Sequence, residues 1–145
     1  MGEDVQAGEK ALPAGSLLRP ADLGGLAALG ISEIAVARAP RIAILSTGDE
    51  VVPIEAPLQP GQVHDVNTTT LRALVQSAGG IPISYGILPD QPQVLAQAAR
   101  RAIQECDIVV FTAGSSASTR DLTAEIVNGL GKPGVLVHGV NVRPG

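Results

Sequence analysis

The sequence has 145 residues, with ten basic and fourteen acidic side chains and a formal net charge of −4. It holds one Tyr, one Phe and no Trp. This balance argues against a nucleic-acid platform, which needs clustered Lys and Arg for phosphates and aromatics for stacking. A local anion site stays open, because backbone N–H groups bind phosphate without net positive charge.

In chain order, residues 1–40 are rich in Gly, Ala and Pro. Pro20 and Gly30 bracket a short helix, Ala21–Leu29. Glu33–Ala37 has the pattern of a strand. This is too little for an independent core, so residues 1–40 read as a partial N-terminal adaptor, a short remnant. From Arg41 the pattern is cleaner. Arg41–Leu45 is a strand. Asn67–Ala78 places Leu71, Leu74, Val75 and Ala78 at helical spacing, with Asn67 as its N-cap and Gly79-Gly80 as its stop. Ile81–Tyr85 is a second strand, and Pro82 puts it near an edge. Asp90 caps the next helix, with Pro92 in its first turn and Gln93 three residues on. That helix turns Val94, Leu95, Ala98, Ala99, Ala102 and Ile103 to one side. Asp107–Thr112 is a continuous apolar run, as in a central strand. A helix follows over Leu122–Leu130, then a fourth strand over Val135–His138.

Strand and helix alternate, which predicts an α/β domain over residues 41–145 with a mostly parallel sheet between helical layers. The core is built from Val, Ile, Leu and Ala. Cys106 is the only cysteine, which excludes an intramolecular disulfide and a cysteine-based zinc site. It is most simply a core residue. No apolar run has the length of a membrane span, and the N-terminus lacks a signal-peptide pattern. The expected setting is cytoplasmic, with no nucleic acid and no membrane as partner.

One segment breaks the alternation. Thr47 to Val66, about 20 residues, carries Pro53, Pro57, Pro60 and Gly61 without strong periodicity. Loops of this length are uncommon in compact domains and often functional. It opens with Ser46-Thr47-Gly48-Asp49-Glu50, at the carboxyl end of a strand, where open α/β sheets bind ligands. Asp49 and Glu50 could hold Mg²⁺ beside a phosphate, or accept N–H groups from a heterocycle. A solvated turn would also favour Asp there. The second such end is Thr112-Ala113-Gly114-Ser115-Ser116-Ala117-Ser118-Thr119-Arg120-Asp121. Its small residues, hydroxyls and following helix start make an anion cradle, although it lacks both the Walker A ending and the GxGxxG pattern. A flexible loop with a good N-cap has the same composition. Asp65 and Asn67 add two polar groups. His64 and His138 are too isolated for a metal site, and His138 reads as packed or hydrogen-bonded.

Taken in order, LSTGDE, PGQVHDVN, GILPD, TAGSSASTRD and HGVNVRPG resemble the molybdopterin molybdenumtransferases, the MoeA-type enzymes related to the E domain of gephyrin. The segments GEDVQAGEKALPAG and AALGISEI resemble the stretch before the family's STGDE strand, so the likeness covers nearly the whole chain. It implies a molybdopterin-binding domain like those of MogA and MoaB. It also implies a reaction: adenylylated molybdopterin and molybdate are converted, with Mg²⁺, to molybdenum cofactor and AMP. By the resemblance, Asp49 and Glu50 match the acidic pair of STGDE, after Thr47 and Gly48, and are the metal candidates. Asp65 and Asn67 match its D-x-N. Thr112, Gly114, Ser115 and Ser116 fall in its Ser-Gly-Gly-Val-Ser loop, and Asp121 is the acid closing it. The implied catalytic set is Asp49, Glu50 and Asp121.

The departures are specific. TAGSSAS stands where the family has SGGVSVG, so Ala113 and Ser118 replace glycines and some backbone freedom is lost. Arg143 stands at the first lysine of Lys-Pro-Gly-Lys-Pro, and Arg is not equivalent to Lys. Family members are several hundred residues long, which reads this chain as a piece, truncated at its C-terminus and inactive alone. The resemblance implies a homo-oligomer, a dimer in the family, and a molybdopterin adenylyltransferase as a pathway partner. The alternatives are a pterin-phosphate or nucleotide-binding module without turnover, and an assembly unit.

Overall fold

The computed structural model describes residues 5–6, 8–112 and 117–139, with the backbone alone for 117–121. The chain divides into two compact units, Met1–Arg38 and Ala39–Gly145.

In the first unit, helix α1 spans Pro20–Ala28. Arg19 is its N-cap, and Asp22 reaches back to the Arg19 backbone N–H at 2.8 Å. The same carboxylate pairs with the Arg19 guanidinium at 3.1 Å, which holds its pKa below the ordinary carboxylate value. Gly30 ends the helix at φ +77°. Its N–H bonds to Ala27 O, and the Ile31 N–H bonds to Leu26 O. This pairing satisfies two orphan carbonyls in a Schellman motif. Glu33–Ala37 is not a strand. Its apolar residues are exposed, and the described part of this unit offers no second strand to complete a ladder.

The second unit is an α/β domain. Its strands are β1 (Arg41–Thr47), β2 (Val51–Val52), β3 (Val63–His64), β4 (Ile81–Leu88) and β5 (Ile108–Thr112). Its helices are α2 (Val66–Ser77), α3 (Pro92–Glu105) and α4 (Ala117–Gly129). The main sheet has the order β4-β1-β5 and is parallel throughout. β1 is the central strand, and Ile42 to Thr47 are all buried. Ala43 and Leu45 meet Ala98 and Ala102 of α3, together with Val109 and Phe111 of β5. Leu95 and Ala99 of α3 close on Ile126 of α4. On the α2 side, a Cβ at Gly80 would lie 2.7 Å from Ile42 Cδ1 and 3.0 Å from Val75 Cγ1. Glycine there lets α2 come down onto β1.

Several expectations are corrected. β5, expected in the centre, pairs only with β1 among the described residues. β1 holds the centre instead, because it is the strand covered on both faces. Val135–His138 is not a strand. Leu136 and Val137 are exposed, as is His138, and apolar residues alone do not make a strand without a ladder partner. Among the described residues, Pro82 does lie on an edge strand. Ile103, expected on the buried face of α3, is exposed. The Pro-rich segment after Thr47 contains a small parallel ladder, β2 with β3, too short to show a period.

Both helix caps also differ. α2 begins one residue early, so Asp65 rather than Asn67 is its N-cap and accepts from Thr68 N–H at 3.0 Å. Pro92 opens α3 and disfavours the helical conformation at the residue before it. Gln91 is therefore extended and becomes the N-cap, which leaves Asp90 outside the helix.

Candidate functional site

The carboxyl ends of β1 and β5 meet the β2–β3 ladder and the start of α2 around a cavity of about 440 Å³. Ser46, Thr47, Glu50, His64, Asp65, Asn67 and Thr112 line its polar part. Val51, Val63 and Val66 supply apolar wall. The sequence-predicted residues Thr47, Glu50, Asp65, Asn67 and Thr112 are thus brought together. Gly114, Ser115, Ser116, the Asp121 side chain and Arg143 lie outside the described residues.

Gly48 sets the first turn of the site. Its φ is +136°, and a Cβ there would stand 2.8 Å from Glu50 Oε2 and 2.9 Å from Val51 Cγ2. Only glycine accepts both the conformation and the close carboxylate. Beyond this turn the two acids part company. Glu50 lines the cavity. Asp49 is exposed, and its Oδ1 accepts from the Asp90 backbone N–H at 3.3 Å. Asp49 therefore ties the β1 end to the β4 end.

The register of β4 explains why Asp90 is there. Ile44 pairs with Ser84, but Ser46 pairs with Ile87, so β4 carries one extra residue against β1. Gly86 sits in this bulge at φ +79°. A bulge bends a strand and re-aims the residues beyond it. Here Leu88 comes opposite Thr47, and Asp90 lies two residues further on.

Sequence reasoning assigns Asp90 only a helix cap and misses its place beside the site. Its position just past a strand that neighbours β1 is the available signal. Its pKa is raised, first by burial and then by the nearby charges of Asp49 and Glu50. The Thr47 hydroxyl favours the charged form and offsets part of this. Even so, Thr47 Oγ1 and Asp90 Oδ1 are buried without a well-formed hydrogen bond among the described residues. The two atoms face one another, so this buried corner beside the cavity keeps hydrogen-bonding capacity that a ligand can use.

Residues 43–145 match a protein family described as "probable molybdopterin binding domain". The chain belongs to this family. It is 41% identical over 97% of its length to a molybdopterin molybdenumtransferase of Nostoc sp., of which it covers 32%. It is 34% identical over its whole length to one from Haemophilus influenzae, of which it covers 35%. Among solved structures, the MoeA molybdopterin biosynthesis protein of Pyrococcus horikoshii superposes on 93% of the chain with a TM-score of 0.76 and 34% identity. The chain covers 33% of that structure. A molybdenum cofactor biosynthesis protein of Pyrococcus furiosus gives a TM-score of 0.61 at 38% identity, over 76% of this chain and 36% of that one. The chain therefore spans about a third of the length of these relatives.

Proposed function

We propose that the chain is the pterin-binding portion of a molybdopterin molybdenumtransferase. The whole protein would take adenylylated molybdopterin and molybdate to molybdenum cofactor and AMP. The observation that carries the reading is the cavity at the strand ends, with Glu50 and Asp65 on its wall and, beside it, the buried Thr47 hydroxyl, which faces Asp90 without a well-formed hydrogen bond. Carboxylates on the wall accept N–H groups of a pterin. The Thr47 and Thr112 hydroxyls and the Asn67 amide can donate as well as accept.

Mg²⁺ belongs to the same proposal. Among the described residues, no three His, Cys, Asp or Glu side chains are gathered to hold a metal ion. That suits Mg²⁺, which is commonly bound through one or two carboxylates, with waters and substrate phosphates filling the rest. Glu50 is the first candidate, because it lines the cavity. Asp49 is the second, with one oxygen taken by Asp90. When bound, the ion would neutralise charge on the adenylate phosphates. The loop through Gly114, Ser115 and Ser116, with Arg143, is assigned to the phosphate or the pterin, and Asp121 to the catalytic set. A homo-oligomer, the adenylyltransferase partner and a cytoplasmic setting are part of the proposal. The last agrees with the finding that no helix among the described residues is long and apolar enough to cross a membrane.

Calorimetric titration with adenylylated molybdopterin, with and without Mg²⁺ and against AMP, tests the reading. Binding strengthened by Mg²⁺ and weakened in Glu50→Gln is the expected result. Binding of AMP alone, with no contribution from the pterin, would make this a nucleotide site and overturn the assignment.

A further inference from the structure

His64 closes β3 and lines the cavity. Its Nε2 lies 2.9 Å from the Ala56 carbonyl oxygen. A carbonyl has no proton to give, so Nε2 must carry the hydrogen and donate it. In an uncharged imidazole this leaves Nδ1 as a bare acceptor. Nδ1 has no hydrogen-bond partner among the described residues. It is the polar ring atom that His64 can still offer a ligand.

The backbone around the ring is fixed. Val63 N–H bonds to Glu50 O and Asp65 N–H bonds to Val52 O, both at 2.9 Å. His64 is therefore held on a short ladder opposite Val52, between Val63, which is bonded to Glu50 O, and Asp65, which caps α2. Its cavity neighbours Glu50 and Asp65, when ionised, can only accept. These three side chains present acceptors, while the hydroxyl and amide donors of the cavity are those of Ser46, Thr47, Asn67 and Thr112. A phosphate placed against these three would meet like charge. A heterocycle edge bearing N–H or NH₂ groups would meet matching lone pairs.

We propose that His64 is a specificity-determining residue, whose Nδ1 accepts a hydrogen bond from the N–H edge of the pterin. The bond to Ala56 selects the tautomer that makes this possible. The inference rests on the reading of the cavity as a pterin site.

The test uses the full-length protein with His64→Gln and His64→Phe. Gln keeps an N–H donor for Ala56 O but has no nitrogen at the Nδ1 position. Phe removes both. Three properties are measured: affinity for molybdopterin, affinity for AMP, and protease cleavage within residues 53–62, which reports the Ala56 tether. The expected result for His64→Gln is a loss of about five- to tenfold in molybdopterin affinity, the scale of one hydrogen bond. AMP affinity and cleavage stay as in the wild type. If His64→Gln binds molybdopterin like the wild type while His64→Phe does not, the ring is only a tether and the proposal is overturned. An equal loss for AMP overturns it too. Nitrogen NMR of the ring separates this inference from the reading beneath it. A proton on Nδ1 in place of Nε2 sinks the His64 proposal alone, whereas a wild-type protein that ignores molybdopterin removes the pterin assignment and this proposal with it.

Discussion

The two ends of α3 treat their polar groups in opposite ways. Where α3 runs out, the polar groups are paired with one another. The Arg41 backbone N–H donates to Asp107 Oδ2 at 2.8 Å, and its Nε donates to Glu105 O at 2.9 Å. Tyr85 donates to Glu105 Oε2 at 2.6 Å, and Arg101 to Glu105 Oε1 at 2.8 Å. The Arg101 guanidinium also lies 5.7 Å from the Tyr85 ring centroid. Burial and the Glu105 contact raise the Tyr85 pKa, and the Arg101 and Tyr85 bonds lower that of Glu105. Where α3 begins, the Thr47 hydroxyl and Asp90 Oδ1 are buried without such partners. The first end behaves as scaffold, with its bonding complete. The second is unfinished in the way a binding site is. Substitutions at the first end should therefore change stability, and at the second, binding.

Gly48→Ala should have the largest effect, because it strikes the site end through the backbone. Forcing an L-residue to φ +136° costs about 1–3 kcal/mol, and the new Cβ collides with Glu50 and Val51. Both stability and ligand affinity should fall. Urea denaturation gives the first and calorimetry the second. A variant with normal affinity would show that the Glu50 position set by Gly48 does not matter to the ligand.

A matched pair sharpens the contrast. Tyr85→Phe deletes a hydrogen bond at the scaffold end and should cost about 1 kcal/mol of stability, with ligand affinity unchanged. Thr47→Val deletes a hydroxyl that has no well-formed bond, while keeping the shape. It should leave stability within about 0.5 kcal/mol of the wild type or raise it, yet weaken ligand binding. If Thr47→Val instead destabilises the fold as much as Tyr85→Phe, then Thr47 already has a partner and the two ends are alike.

Much of this is legible in the sequence. The strands at Arg41 and Ile81 and the helices after them are readable, because a buried apolar run and a 3.6-residue period survive in the sequence. β2 and β3 are not, since two-residue strands among prolines have no period. Among the described residues the placing of β5 at the centre fails, because an apolar run fixes neither burial nor position in the sheet: Ile108 is exposed and the rest of β5 only half-buried. At the site, the Thr47–Glu50 end is readable from its strand and its acids. The divergence of Asp49 and Glu50 is not, because it depends on one glycine dihedral. Asp90 is hidden by its resemblance to a helix cap, and His64 by its isolation in sequence. Both are brought to the cavity region by pairing: the β4 bulge for one, the β2–β3 ladder for the other.

The smallest predicted effect is a slope. The Asp90 pKa is raised in the fold, so the folded state holds this proton more tightly than the unfolded chain does. Stability linked to the proton is then fully present below the ordinary carboxylate value of 3.8. It is lost as pH rises through the higher folded value, and above that the charged Asp90 is a net cost. Asp90→Asn removes the titration. Its stability relative to the wild type should therefore improve as pH is raised from about 4 toward neutrality, and then level off. Urea unfolding at a series of pH values measures the difference directly. A constant difference would mean that Asp90 titrates alike in both states, and that Asp49 and Glu50 do not press on it. A ligand that brings Mg²⁺ or an N–H donor to this corner would favour the charged carboxylate, so the slope should shrink when the ligand is bound. The same experiment with Tyr85→Phe should give a slope of opposite sign, because the Tyr85 hydroxyl helps hold the Glu105 pKa down and the stability linked to that carboxylate is present only above its unfolded value.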